Sequence, residues 1–152
     1  MAVGTWQIHD KFKRVMADGT LDLDNGSHEL RCSLYKGSSN LGAAAISGLS
    51  VIGSVTNELA DGNGYSTSGK TLSADWTQGA SGGEMRFSHS DVFWSATGDI
   101  TSIQYAVAWF SGASANARYI LGHCTLSTSV FTLTSTNRLT ISDGGNGVFE
   151  LN

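Results

Sequence analysis

Apolar and polar residues alternate with a period of two over most of this chain. Leu30, Cys32 and Leu34 alternate with Arg31, Ser33 and Tyr35; Leu72, Ala74 and Trp76 with Ser73 and Asp75; Met85 and Phe87 with Arg86 and Ser88. The longest set is Ile103, Tyr105, Val107 and Trp109, and the small Ala106 and Ala108 opposite it predict burial on both faces. Residues 119–121, 130–133, 139–141 and 148–151 carry the same pattern. Successive side chains of a strand point to opposite faces, so each segment offers one face to a core.

One segment has a different period. Ile8, Phe12, Val15 and Met16 fall at i, i+4, i+7 and i+8, which predicts a helix over residues 5–18 with these four on its apolar stripe. Asp18-Gly19 supplies the stop. Turn chemistry divides the strands: Asp24-Asn25-Gly26, Asp61-Gly62-Asn63-Gly64, residues 79–83, Gly98-Asp99 and residues 143–147 all tolerate positive φ. The expected fold is mainly β, an antiparallel β-sandwich or jelly roll with one short N-terminal α-helix, in a single domain over 1–152. Residues 37–53, small and weakly patterned, read as a long loop or extended arm lying on another surface.

Composition narrows the function classes. Charged residues make up 14% of the 152, below the roughly 25% of an average domain, and 19 glycines stand beside no proline. Nine Lys and Arg against 13 Asp and Glu give a net charge of −4, which argues against a nucleic-acid partner. Lys11, Lys13 and Arg14 read as a solvated helix face. Residues 1–10 show no apolar core or cleavage site of a secretory signal, and the longest apolar run, 106–110, is too short for a membrane span. The expectation is a soluble protein made in a cytoplasm, with no membrane partner. In that compartment Cys32 and Cys124 are expected as buried free thiols, although a disulfide is possible.

The motifs that could carry chemistry each have a plainer reading. Gly64-Tyr65-Ser66-Thr67-Ser68-Gly69-Lys70-Thr71 matches a phosphate-binding loop letter for letter. Such a loop needs a buried strand before it and a helix after it. Here residues 55–60 are too polar and Leu72, Ala74 and Trp76 alternate as a strand, so a Gly-rich hairpin is expected. Asp22-Leu23-Asp24-Asn25-Gly26 hints at a calcium loop, but the twelfth position is Ser33, not a carboxylate. His9, His28, His89 and His123 lack metal-ligand spacing, and His89-Ser90-Asp91 cannot form a triad from adjacent strand positions. Nothing in the pattern joins two of Glu58, Asp61, Asp75, Glu84 and Asp91. No catalytic residue, cofactor or metal is expected.

The aromatic residues Trp76, Phe87, Phe93, Trp94, Tyr105, Trp109 and Phe110 are dense for a chain of this size. If Phe93-Trp94 and Trp109-Phe110 lie in strands, one member of each pair points away from the main core. An outward aromatic in so weakly charged a chain reads as a subunit contact before a sugar-stacking platform. The candidate interface residues are Phe12, Leu41, Ile46, Trp94, Trp109 and Phe110.

Two stretches carry a resemblance: Asn63-Gly64-Tyr65 running on through Gly69-Lys70-Thr71-Leu72, and Leu139-Thr140-Ile141-Ser142 closing through Gly147-Val148-Phe149-Glu150-Leu151. Together with the Lys- and Phe-bearing N-terminal segment, and with Asp91–Ala96 followed by Tyr105-Ala106-Val107, they resemble a family of small virion proteins of tailed bacteriophages and prophages. The resemblance spans most of the chain except residues 37–53. It implies synthesis in the cytoplasm of a host bacterium and a structural role in the particle, preferably a capsid decoration or cement protein on the head surface. Its partners would be the major capsid protein or other virion subunits and further copies of itself. The alternatives are a tail-tube or head–tail junction protein, or a carbohydrate-binding or host-adhesion sandwich.

Overall fold

A computed structural model describes residues 4–21, 29–42, 49–78, 83–112, 118–143 and 147–151. Eleven strands and one α-helix follow in chain order: β1 (Gln7–Ile8), α1 (Asp10–Ala17), β2 (Glu29–Lys36), β3 (Lys70–Leu72), β4 (Ala74–Gln78), β5 (Met85–His89), β6 (Val92–Ser95), β7 (Ile100–Ser111), β8 (Ile120–Thr125), β9 (Phe131–Leu133), β10 (Arg138–Ile141) and β11 (Phe149–Leu151). All pairings are antiparallel. A six-stranded sheet has the order β1-β8-β7-β2-β3, with β9 on the first part of β7; β10-β6 and β11-β5-β4 form two smaller sheets. The expected mainly-β, antiparallel, sandwich-like class is the one observed.

The large sheet is apolar on both faces. Leu30, Cys32, Leu34, Ala106, Ala108, Phe110, Leu121 and Cys124 pack against Phe87, Val92, Trp94 and Ile141 of the smaller sheets. On the other face, Tyr35, Tyr105, Val107, Trp109 and Ile120 are covered by Leu41, Leu49, Ile52 and Val55. The described residues of the expected arm, 37–42 and 49–53, lie on this chain's own sheet. A bridge of Val51 with Tyr119 seats them, and one of Tyr35 with Glu58 seats the residues that follow. Backbone bonds run from Leu59 N–H to Leu34 O (3.0 Å) and from Ile52 N–H to Arg118 O (2.9 Å). The physical reason is the doubly apolar β7, whose second face would otherwise stand in water.

A bulge decides which residue faces which core. Tyr35 pairs with Tyr105 but Lys36 with Ile103, leaving Gln104 as the extra residue. The inserted residue shifts the alternation, so Ile103 joins the inner core while Tyr105, Val107 and Trp109 turn to the arm. The expectation that all four share one face is corrected by this single residue. Similarly, the alternating run 72–76 is two strands: β3 pairs with β2 in the large sheet and β4 with β5 in a small one. Ser73 sits at the changeover, exchanging bonds with Ser90.

The helix is shorter than 5–18. Gln7 and Ile8 pair with His123 and Gly122 as a strand, and the helix occupies only Asp10–Ala17. Sheet pairing outcompetes helix propensity here because the edge of β8 offers backbone partners. Phe12 and Val15 are buried as expected. Phe12 stacks on Phe110 with centroids 6.0 Å apart and meets Phe149 edge-on at 5.7 Å, joining helix, large sheet and small sheet.

Both cysteines are buried and free. Cys32 lies opposite Ala108 and Cys124 opposite Ala106, so β7 runs between them. Two strand spacings are about 9–10 Å, beyond the Cα separation a disulfide can span. Burial pushes both thiols up, Cys124 to about 11.

Candidate functional site

The phosphate-loop letters build a hairpin. Gly62 and Tyr65 exchange backbone bonds of 2.9 Å, Lys70 opens a strand, and no helix follows. Glu58 organises the turn: one carboxylate oxygen accepts from Tyr65 O–H at 2.7 Å and from Ser68 N–H at 2.6 Å. The Tyr65 hydroxyl oxygen in turn accepts from Leu34 N–H at 3.1 Å. Burial, with the nearby Glu58 charge, holds the Tyr65 phenol well above its ordinary range. The two motif glycines serve close approach: a Cβ on Gly64 would meet Ser95 O and one on Gly69 would meet Cys32 O, and both have positive φ. The amides that would cradle a phosphate are thus spent on framework contacts. Lys70 Nζ donates to Phe93 O at 2.8 Å.

Two of the histidines scattered in sequence, His9 and His123, meet in space. His9 Nδ1 lies 2.9 Å from Leu49 O, and His9 Nε2 lies 2.9 Å from His123 Nδ1. A carbonyl only accepts, so His9 Nδ1 carries the proton, its Nε2 accepts, and His123 Nδ1 donates. Both rings are neutral. Desolvation lowers both pKa values, that of His123 to about 4 with the neighbouring His9 adding to the shift. Asp10 opposes the shift at His9, and Tyr105 faces His123 edge-on at 6.5 Å. The pair ties the chain before the helix, the arm and β8 together. No sequence signal marked it, since its partners are 114 residues apart. His89 Nδ1 bonds to Ser90 O at 2.8 Å and takes no part in a triad. Among the described residues no group of three or more His, Cys, Asp or Glu could hold a metal. Residues 22–28, with the calcium-loop letters and His28, lie outside them.

Five candidate interface residues belong to the chain's own interior. Phe12 is 0% exposed, Trp94 0%, Phe110 2%, Leu41 3% and Trp109 3%; Ile46 lies outside the described residues. Phe12 and Phe110 form the joint of helix and sheets, Trp94 packs under Tyr65 at 6.2 Å, and Leu41 and Trp109 share the core beneath the arm. Trp109 Nε1 donates to Ser33 Oγ at 3.0 Å, and Arg31 and Arg118 lie over its ring. With both faces of β7 covered, neither Trp109 nor Phe110 points outward, contrary to expectation. Ser33→Ala should cost about 1–2 kcal/mol, because the buried indole N–H loses its acceptor; urea denaturation of the variant against the native chain measures it. Most rings that a sugar platform would need lie inside: Trp6, Trp94, Trp109, Tyr35, Tyr65 and Tyr105 are buried, while Trp76 and Tyr119 are half-buried.

Among the described residues Phe93 is the aromatic side chain that stands exposed. Strand β6 alternates, with Val92 and Trp94 inward and Phe93 42% exposed. Arg138 lies over the Phe93 ring with Cζ 4.1 Å from the centroid, and Lys70 Nζ stands 5.1 Å from it. Asp61, Asn63, Asp99 and Thr101 line an open concavity of about 180 Å³ with Lys36 and Leu59. Asp61 accepts from Thr67 N–H and Asp99 from Ser135 N–H, each through one oxygen. Sequence alternation could have shown that one of Phe93 and Trp94 faces out; the pairing of Phe93 with Thr140 and Trp94 with Leu139 fixes which.

Among the described residues no helix is long and apolar enough to cross a membrane. No family model, no curated protein and no solved structure matches this chain.

Proposed function

We propose that this chain is a structural protein of a bacteriophage virion, a decoration or cement protein that bridges subunits on the outside of the head and performs no catalysis. The observation that carries this reading is where the resembling stretches sit. Residues 63–72 form the hairpin that closes on Cys32 O and Ser95 O, and residues 139–151 contribute β10 and β11, which pair with β6 and β5. The motif residues act in the framework, as a resemblance to structural subunits requires. A cement subunit needs stiffness and surface contacts, and repetition over a symmetric shell multiplies small contact energies. A sheet cored on both faces supplies the stiffness. The edge of β4, which among the described residues pairs with β5 alone, and the outer face of β6–β10 supply contact surface.

The test uses phage particles that carry the chain. Heads stripped of it are expected to break at lower temperature and to regain tolerance when it is added back. Unchanged heat stability with hundreds of copies per head sinks the cement role. A count of six or twelve copies at one vertex moves the protein to the tail tube or the head–tail junction.

A further inference from the structure

We infer that copies of this chain associate with one another by seating the Phe93 knob of one copy in the carboxylate-lined concavity of the next. Three observations converge on the knob. Phe93 is one of three large hydrophobic side chains exposed on the described surface. Two of the chain's nine basic residues, Lys70 and Arg138, lie against its ring. Lys70 Nζ donates to Phe93 O and Arg138 Nε to Thr140 Oγ1, so neither cation is seen on a carboxylate among the described residues. An aromatic anchor framed by Arg is the side-chain set that dominates binding at protein interfaces.

The partner must offer carboxylates around a small recess, and this chain does. Asp61 and Asp99 each keep one oxygen free of the backbone bonds described above. Lys36 also lines the recess, so its formal charge is −1, from two carboxylates and one ammonium. Val130, 54% exposed, lies by Gly37, the residue after that lysine. At about 180 Å³ the recess is smaller than the roughly 300–1,000 Å³ that holds a cofactor or drug-sized ligand, and it suits one or two side chains. A phosphate-bearing polymer is the weaker fit to the knob, because the chain's net charge of −4 repels it. Knob and recess share no residue. Two copies that exchange both make a closed dimer, and copies that pass them head to tail make a ring or filament.

This inference gives a self-contact to the subunit proposed above but is tested on the isolated chain, so either can fail alone. Sedimentation of the full chain at ~50 mM salt is expected to show association with a Kd on the order of 10–100 µM, weakening at ~500 mM salt as screening grows. Phe93→Ser and Arg138→Glu should each raise Kd at least about tenfold, as should Asp61→Asn with Asp99→Asn, which removes the charges while keeping amide oxygens as acceptors. Mixing Arg138→Glu with Asp61→Lys should restore association that neither shows alone. Circular dichroism and unfolding midpoints confirm that each variant is folded. A chain monomeric at ~1 mM overturns the inference, as does association indifferent to these substitutions. Association that falls with the knob variants but not with the Asp61 and Asp99 pair overturns it too, because the knob would then dock elsewhere.

Discussion

Gly69→Ala is expected to destabilise the fold by more than about 4 kcal/mol, a large share of the 5–15 kcal/mol that holds an ordinary domain together. Its Cβ would stand 1.8 Å from Cys32 O and 2.7 Å from Ser33 Cα, and φ is +65°. The obstacle is backbone, so no side chain can rotate away; β2 or the hairpin must move. Moving either breaks Leu34 N–H to Tyr65 O–H and the two bonds that converge on Glu58. Gly83→Ala is the control. Gly83 also has positive φ, +92°, but an added Cβ there meets nothing within 4 Å. Only conformational strain of about 1–2 kcal/mol is expected at that position. Denaturant unfolding and amide NMR spectra of the two variants measure the difference. Equal losses would mean that the hairpin is not seated against β2.

Acid should loosen the chain in a window set by the buried histidine pair. Both rings are neutral in the fold and their pKa values are lowered, that of His123 from 6.5 to about 4. Between those values the unfolded chain binds protons that the folded chain refuses. Stability therefore falls as pH drops below about 6.5 and levels off near 4 for His123, a loss on the order of 2–3 kcal/mol after allowance for solvent screening. Carboxylate effects such as that of Asp18, whose pKa is lowered from 3.8 by hydrogen bonds to Thr20, fall below this window. Adding protons to both rings would set N–H against N–H across the 2.9 Å contact. The arm, held through Leu49 O, should then exchange its amides faster than the strands do. In His123→Asn an amide N–H can replace the ring donor without a titrating group at that position, and the fall of Tm between pH 6.5 and 4 should become shallower, with His9 left as the titrating ring of the pair. An unchanged acid slope in that variant would show that the pair does not carry the effect.

Much of the fold was legible because strand burial repeats every second residue. Segments 30–35, 85–88, 139–141 and 148–151 sit inside or overlap observed strands, and the doubly apolar β7 was readable from Ala106 and Ala108 between its large neighbours. The hairpin was legible for a chemical reason, since polar residues 55–60 could not form the buried strand that a phosphate loop needs. The candidate contact residues were less legible. Hydrophobicity names residues that want to leave water but not what covers them. Leu41 and Trp109 cover each other, and Phe12 and Phe110 stack.

The alternating pattern, glycine-rich turns and scarcity of charge were enough to specify an antiparallel β protein with a short helix, because they are local properties of backbone and solvent. Facing and neighbourhood depended on contacts between distant segments. Gln104 as an extra residue turned Tyr105 to the second face; folding the arm over that face gave Trp109 a roof; and closure of β1 on β8 brought His9 to His123. Each depends on which strand lies beside which, and periodicity carries no record of that.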